Sequence, residues 1–341
     1  MSDITTNPVP VKEVVIKKGE TSGGFGEVLL RNLSKFLPFV VVIVLFIVFS
    51  ITAKNFFTLR SILSLALQTS TITLMGIGVT FAIITGGIDL SIGSVVALTG
   101  TVAVMVSIAG VPIWLSWIIG VLVGVLCGLL NGLMITRLKL PPFIATLGMM
   151  LLARGVALTI TNAAAYPAPA GFGDLGNNAI LGTGPKFPGI PIPVIIMVVV
   201  AFLFHFILSK TRTGRYTYAV GSNEEAARLS GIKVRQVKII AYIICGLLAG
   251  LVGIILASRM VTSQPNSASG YELNAIASAV IGGTSLMGGV GTVGGTVIGS
   301  FILGILTVGL TMAGANYYMQ QIVIGLVLVG AVTFDQWRGR K

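Results

Sequence analysis

From Ser61 to Thr136 a single residue, Asp89, is charged, and from Leu273 to Phe334 none is. Nothing else in the chain restricts its fold as severely. A helix needs about 20 apolar residues to cross a hydrocarbon core. Water-soluble domains carry about 25% charged residues; here 9% are charged and 55% hydrophobic. The fold class that follows is an all-α polytopic membrane protein. Spans are predicted near 37–53, 62–84, 89–109, 113–135, 142–161, 191–209, 238–257, 272–287, 293–313 and 319–335, ten in all, the eighth short. The chain thereby divides into a cytoplasmic N-terminal tail over 1–36, a transmembrane domain over 37–335 and a C-terminal tail over 336–341. The first tail shows no cleavable signal pattern, and a short helix is predicted at its GEVLLRNLSKF stretch.

Charge reads as topology. With the N-terminus inside, 17 of the 22 Lys and Arg fall on the inner side, as the positive-inside rule requires. Both termini inside demands an even number of crossings, which agrees with ten; a Gly-rich segment that re-enters instead of crossing would make it eight or twelve. The net charge of +12 is scattered over loops instead of gathered in one patch. That excludes a nucleic-acid partner and leaves membrane lipid. The location is a cell membrane crossed many times. The longest outer loop, 162–190, is rich in Pro, Gly and Asn. It is expected to be irregular with one short helix, serving as a partner contact at the outer mouth or as a plain connection.

Glycine clusters inside the apolar runs. GGIDLSIG (86–93) and GGTSLMGG (282–289) share the pattern GGx[DS]LxxG, 196 residues apart. Transporters often contain repeats whose broken helices meet near the midplane, so the two interruptions point to a translocation path; close packing of small residues is the plainer alternative. Candidate path or gate residues are Gly86, Gly87, Asp89, Ser91, Ser94, Asn131, Glu272, Asn274, Thr284 and Ser285. The Gly, Ser and Thr of 272–334 suit a neutral polyhydroxylated solute better than an ion.

Asp89 costs about 2.5–3.5 kcal/mol to place at a bilayer centre. It could cap the following helix and bind amides freed by Gly86 and Gly87, line the path and bind solute hydroxyls, or carry a proton. The D-L-S-I-G-S context favours capping, with the carboxylate at the positive end of a half-helix. Arg154 either snorkels to an interface or pairs with a carboxylate.

The inner loop 210–238 contains AVGSNEEAARLSGI (219–232). Ser222 or Asn223 caps a predicted short helix, Glu224 and Glu225 fill its first turn, Ala226, Ala227 and Leu229 form a small apolar face, and Gly231 stops it. Such a helix fits a groove on another protein, or is a solvated loop. No GxxxxGK[ST] phosphate loop occurs: GTGPK (182–186) and TSGGFGE (21–27) have the wrong spacing. No catalytic Ser/His/Asp set or His/Cys metal cluster is evident. His205, the sole histidine, reads as a packed or interfacial residue, and Cys127 and Cys245 as small hydrophobes. The chain is therefore expected not to be an enzyme and to carry no cofactor or metal.

Four stretches carry a family resemblance: TGGIDLSIGSVVALTG (85–100), LNGLMITRLKLPPFIATLGMM (130–150), AVGSNEEAARLSGI (219–232) and GYELNAIASAVIGGTSLMGGVGTVGGTVIG (270–299). In these the chain, from about residue 35 to its end, resembles permease subunits of ribose/xylose/galactose-type ABC sugar importers, the branched-chain amino acid/ribose permease family. The resemblance implies a dimer, of identical chains or with a paralogous permease. It implies a cytoplasmic ABC ATPase that hydrolyses ATP and a periplasmic or lipid-anchored sugar-binding protein, at the inner membrane. The 219–232 loop then resembles the coupling helix that fits the ATPase, with Gly221, Asn223, Glu224, Glu225, Ala226, Ala227, Gly231 and Ile232 as coupling residues. The expected cargo is a monosaccharide, ribose or a related pentose. The alternatives are another sugar, a polyol or a furanosyl signal in the same family, or a proton-coupled secondary transporter using Asp89.

Overall fold

Four glycines at every fourth position, Gly120, Gly124, Gly128 and Gly132, fall on one face of a helix. Lipid tails are as apolar as leucine, so helices in a bilayer associate by close packing, and small residues let backbones touch. In the computed structural model, which describes residues 25–182 and 188–339, that face meets Gly246 and Gly250 of a later helix. A Cβ at Gly124 would strike the Gly246 carbonyl, one at Gly246 the Gly124 carbonyl, and one at Gly128 the Tyr242 carbonyl.

Residues 1–37 form one unit and 38–341 another. The expected tail up to residue 24 lies outside the described residues. The helices are α1 (Phe25–Thr52), α2 (Leu59–Ile84), α3 (Ile92–Ile108), α4 (Ile113–Thr136), α5 (Pro142–Thr161), α6 (Asp174–Asn177), α7 (Ile192–Lys210), α8 (Arg212–Ser222), α9 (Glu224–Leu229), α10 (Val234–Met260), α11 (Tyr271–Ile281), α12 (Val293–Met312) and α13 (Tyr317–Gly339). Four two-residue strands make two antiparallel pairs: β1 (Tyr166–Pro167) with β4 (Thr262–Ser263), and β2 (Ala179–Ile180) with β3 (Ile190–Pro191). The long outer loop thus carries one short helix, α6, as expected.

Six helices, α2, α4, α5, α7, α10 and α12, are long and apolar enough to cross a membrane. Four shorter apolar helices, Pro38–Thr52, Ile92–Ile108, Tyr271–Ile281 and Tyr317–Gly330, lie where other spans were expected. Two boundaries move. The span expected from 89 begins as helix only at Ile92, and that expected over 272–287 is helical only to Ile281. Glycine explains the second: Gly283 has φ of +89°, a value a continuing right-handed helix does not admit; in the first, residues 89–91 are taken up by the turn that Asp89 closes on Ser91.

The core lies along α10, which packs against α2, α3 and α4. Met75 and Val79 of α2, Val95 and Val96 of α3 and Val252 and Ile255 of α10 are buried together there. The outer faces of the peripheral helices are apolar and exposed: Leu151, Leu152 and Val156 on α5, Phe202, Leu203 and Phe206 on α7, Ile322 and Leu326 on α13. In water this surface would aggregate; in lipid it is solvated.

Candidate functional site

The loop 210–238 folds as its local signals demand. Thr211 caps α8, its hydroxyl accepting from Gly214 N at 3.4 Å. Asn223 caps α9, its Oδ1 accepting from Ala226 N at 2.9 Å; of the two expected caps, Ser222 instead ends α8. Glu224 and Glu225 occupy the first turn of α9, and Gly231, at φ +82°, stops the chain after it. Glu225 pairs with Arg228 and Glu224 with Lys238 of α10, both at 2.6 Å. Exposed pairs contribute little stability, but the second ties α9 to a long helix. Ala227 is buried with Val220 and Val237. The apolar face therefore splits: Ala227 holds α9 to its own chain, while Ala226 and Leu229 are exposed, Leu229 at 79%. Ile232 is half-buried and packs against the same small cluster.

The C-terminal end of α8 touches both glycine breaks. Gly221 packs so closely that a Cβ would collide with the Ile84 carbonyl, the last residue of α2, and with Gly289 N. Gly289 N donates to the Ile84 carbonyl at 2.9 Å. A Cβ on Gly288 would lie about as near Gly86 N and the Gly221 carbonyl. Tyr218 of α8 donates its hydroxyl to the Gly291 carbonyl at 2.6 Å, and burial pushes its phenol up, which keeps it a neutral donor. Tyr218 was missed in the sequence, where it looked like any loop aromatic.

Asp89 stands deeper. It is 2% exposed. Its Oδ1 accepts from Ser91 N at 2.9 Å and from the Ser91 hydroxyl at 2.6 Å. Asn131 Nδ2 in turn donates to Ser91 Oγ at 2.9 Å, and Thr146 donates to the Ile88 carbonyl at 3.1 Å. The expected cap is corrected by this geometry. The position before α3 belongs to Ser91, whose side chain makes no capping bond. Asp89 closes a tight turn two residues earlier, because the helix starts later than its polar context suggested. No water-sized space separates Asp89, Asn131 and Cys245. Asn131 Oδ1 and the Tyr242 hydroxyl, both buried, have no partner among the described residues. Ser94 is buried one turn into α3.

Glu272 sits in the first turn of α11, its Oε1 accepting from Gly270 N at 3.2 Å. Its Oε2 lies where a Cβ on Gly93, in the first turn of α3, would be. One carboxylate is thus shared by two helix N-termini, where the backbone dipoles favour negative charge. Arg154 resolves differently from either expectation: its Nη1 donates to the carbonyls of Pro265 and Ser267, at 2.6 and 2.9 Å. It pins the loop that leads into α11. Thr284 is buried, its hydroxyl unpartnered among the described residues, and Ser285 accepts from Met287 N at 3.3 Å. Asn274 belongs to neither break; it lines a cavity with Gln68 and Thr71 of α2. The candidates therefore fall into four groups: the α8–α9 hairpin where it meets the two breaks, the Asp89 turn, the α3–α11 junction, and Asn274 in its cavity.

The sequence profile of the family described as branched-chain amino acid transport system / permease component matches residues 61–332. The ribose import permease protein RbsC of Escherichia coli (strain K12) is 43% identical over 302 residues, covering 87% of this chain and 92% of that protein. The ribose import permease protein RbsC of Haemophilus influenzae is 40% identical over 326 residues, 95% of this chain and 99% of the relative. The L-arabinose transport system permease protein AraH of Escherichia coli (strain K12) is 39% identical over 300 residues, 88% and 89% of the two chains. No solved structure matches. A profile match over most of the chain, together with relatives of this identity along nearly their whole length, makes the chain a member of the branched-chain amino acid transport system / permease component family.

Proposed function

We propose that this chain is the membrane-spanning subunit of an ATP-driven importer for ribose or a closely related pentose. It works as a dimer, with a cytoplasmic ATPase against α9 and a sugar-binding protein at the opposite side. The ten apolar helices all cross or enter the inner membrane, with both termini inside. The observation that carries the reading is the meeting of the α8 end with both glycine breaks at Gly221, Ile84 and Gly289. Movement of the docking helix is delivered there to the two places where helices are already interrupted. The ribose import permeases among the relatives point to the sugar; the hydroxyls of α11 and α12 are compatible with it.

Alternating access then has a physical outline. Closure of the ATPases shifts the α8–α9 hairpin, and the second break, packed against it at Gly289 and hydrogen-bonded to it at Gly291, follows. Sugar passes from the binding protein through the membrane, and this chain makes and breaks no covalent bond.

The test is Leu229→Glu, which places a charge on the exposed face of α9 without touching the buried Ala227. The variant is expected to reach the membrane at normal level, lose its co-purifying phosphate-loop ATPase and lose ribose uptake. A wild-type chain that purifies without any ATPase and moves sugar in response to a proton gradient in liposomes would overturn the reading and make Asp89 the coupling group.

A further inference from the structure

A cavity of about 320 Å³ lies between α2, α11, α12 and α13. It is about 24 Å along α2 from Ile84, taking 1.5 Å per residue from Gln68, and so far from the docking hairpin. Its polar lining is dominated by amides and hydroxyls: Gln68, Thr71, Asn274, Thr307, Gln320 and Gln321. Tyr271 and Tyr317 add aromatic faces, Arg259 adds one cation, and no carboxylate lines it. We propose that this cavity is the station at which a neutral, monosaccharide-sized polyol dwells within one permease chain; the proposal rests on the transport reading above and names its site.

Size, chemistry and position carry the proposal. Small-ligand pockets start near about 300 Å³, so the cavity admits one sugar ring. The Thr71 and Thr307 hydroxyls donate to carbonyls of their own helices, Gln68 and Leu303, which leaves their lone pairs to accept from a solute. The Asn274 amide makes no hydrogen bond among the described residues, although it lies in an apolar helix. An amide offers both donor and acceptor, as a sugar hydroxyl does. Gln320 is buried, its Nε2 donating to Thr311 and to the Ala315 carbonyl at 3.1 Å, so its orientation is fixed in advance.

From this cavity a closed polar seam runs toward the second break. On α2 it holds Thr73, Gly76 and Thr80, on α11 Ser278, and on α12 Ser300 and Thr296. Every one of these is buried. Thr80 and Thr296 share a hydrogen bond of 2.6 Å across the seam. Thr73 Oγ1 has no partner among the described residues. Hydroxyls in a seam between helices give a sugar exchangeable partners once the helices part, and they close on one another when it has left.

The experiment uses the assembled importer with its ATPase and binding protein. Thr307→Cys is labelled with a small hydrophilic thiol reagent; the native Cys127 and Cys245 are buried. Labelling is expected to slow several-fold when ribose-loaded binding protein and ATP sustain turnover, while Leu326→Cys, on the exposed apolar face of α13, shows no sugar dependence. In parallel Asn274→Leu is expected to lower uptake about threefold to tenfold, the loss of one hydrogen bond, with binding-protein-stimulated ATP hydrolysis kept and Asn274→Gln close to wild type. Labelling independent of sugar in a complex that transports, or protection by ribose 5-phosphate but not ribose, would overturn the proposal. A complex that moves no pentose at all would overturn the transport reading instead, and uptake by the wild type separates the two.

Discussion

The two glycine breaks share a pattern and differ in what closes them. In the first, residues 85–91, the chain supplies its own partner: Asp89 accepts from the Ser91 amide and hydroxyl, and Asn131 and Thr146 seal the turn from α4 and α5. In the second, 282–292, the residue aligned with Asp89 is Ser285; the turn closes on itself through Ser285 N to the Val290 carbonyl and Gly288 N to the Ser285 carbonyl, both at 3.0 Å, and is tied outward by Gly289 N to the Ile84 carbonyl of α2 and by the Tyr218 hydroxyl of α8 to the Gly291 carbonyl. In the first, Thr85, Gly87, Asp89 and Ser91 are buried, although Gly86 is exposed; in the second Met287 is 88% and Val290 59% exposed. A turn satisfied by a buried side chain is rigid. A turn held in part by α8 depends on where α8 sits. The two similar motifs thus differ in their supports: buried side chains hold the first, and α8 holds part of the second.

The largest effect is expected where the scaffold is removed. Asp89→Leu leaves the Ser91 amide and hydroxyl without their acceptor in a dry site. Each buried unsatisfied group costs about 1–3 kcal/mol, so a loss of about 3 kcal/mol or more is expected, read as lower membrane level and a lower unfolding temperature in detergent. Asp89→Asn keeps an acceptor oxygen and should retain most of the stability and uptake. If Asp89→Asn folds normally but abolishes transport, the carboxylate has a role in coupling and the scaffold assignment fails.

Next is Gly221→Ala. Its Cβ meets backbone on two sides, the Ile84 carbonyl and Gly289 N, and backbone cannot swing aside. Overpacking of this kind costs about 1–3 kcal/mol. The cost falls on the joint and not on the bundle, so ATP hydrolysis is expected to persist while sugar uptake per ATP falls several-fold. Equal loss of both would show that α8 serves stability alone.

The difference between the breaks was only half legible in the sequence. The α9 helix was readable in detail, because caps and stops act over three or four residues: Asn223, Glu224, Glu225 and Gly231 all do what their spacing suggested. The apolar runs were readable because lipid imposes one length. The Asp89 turn was misplaced, since a cap assignment depends on where a helix starts, and the turn itself postpones that start to Ile92. Ala227 was read as part of an outward face; its burial depends on Val220 and Val237, which only the folded hairpin brings together. The cavity was illegible for the same reason at larger scale. Gln68, Asn274, Thr307 and Gln320 come from four helices, and no local pattern links them.

Tyr218→Phe sharpens the comparison with a smaller change. It removes one hydrogen bond to the Gly291 carbonyl, worth about 1 kcal/mol, and keeps the ring. Expected is a slightly lower unfolding temperature with a larger proportional loss of uptake, because the bond joins the docking element to the second break.

A pair of unequal effects, ending in the smallest, separates the aligned turns directly. Ser91 Oγ donates to Asp89 and accepts from Asn131, so Ser91→Ala removes two bonds in a buried site and strands an amide; about 1–3 kcal/mol is expected. Met287, aligned with Ser91, bears no such bond, and the local contact of its turn is the 3.3 Å bond from Met287 N to Ser285 Oγ. That bond is exposed and water can replace it, so Ser285→Ala is expected to cost no more than about 0.5 kcal/mol. Thermal unfolding of the two variants side by side checks the pair. Equal destabilisation would mean that the second break is as much a fixed support as the first, and the route from α8 to the membrane would have to run through α10, to which Lys238 and Glu224 already bind the docking helix.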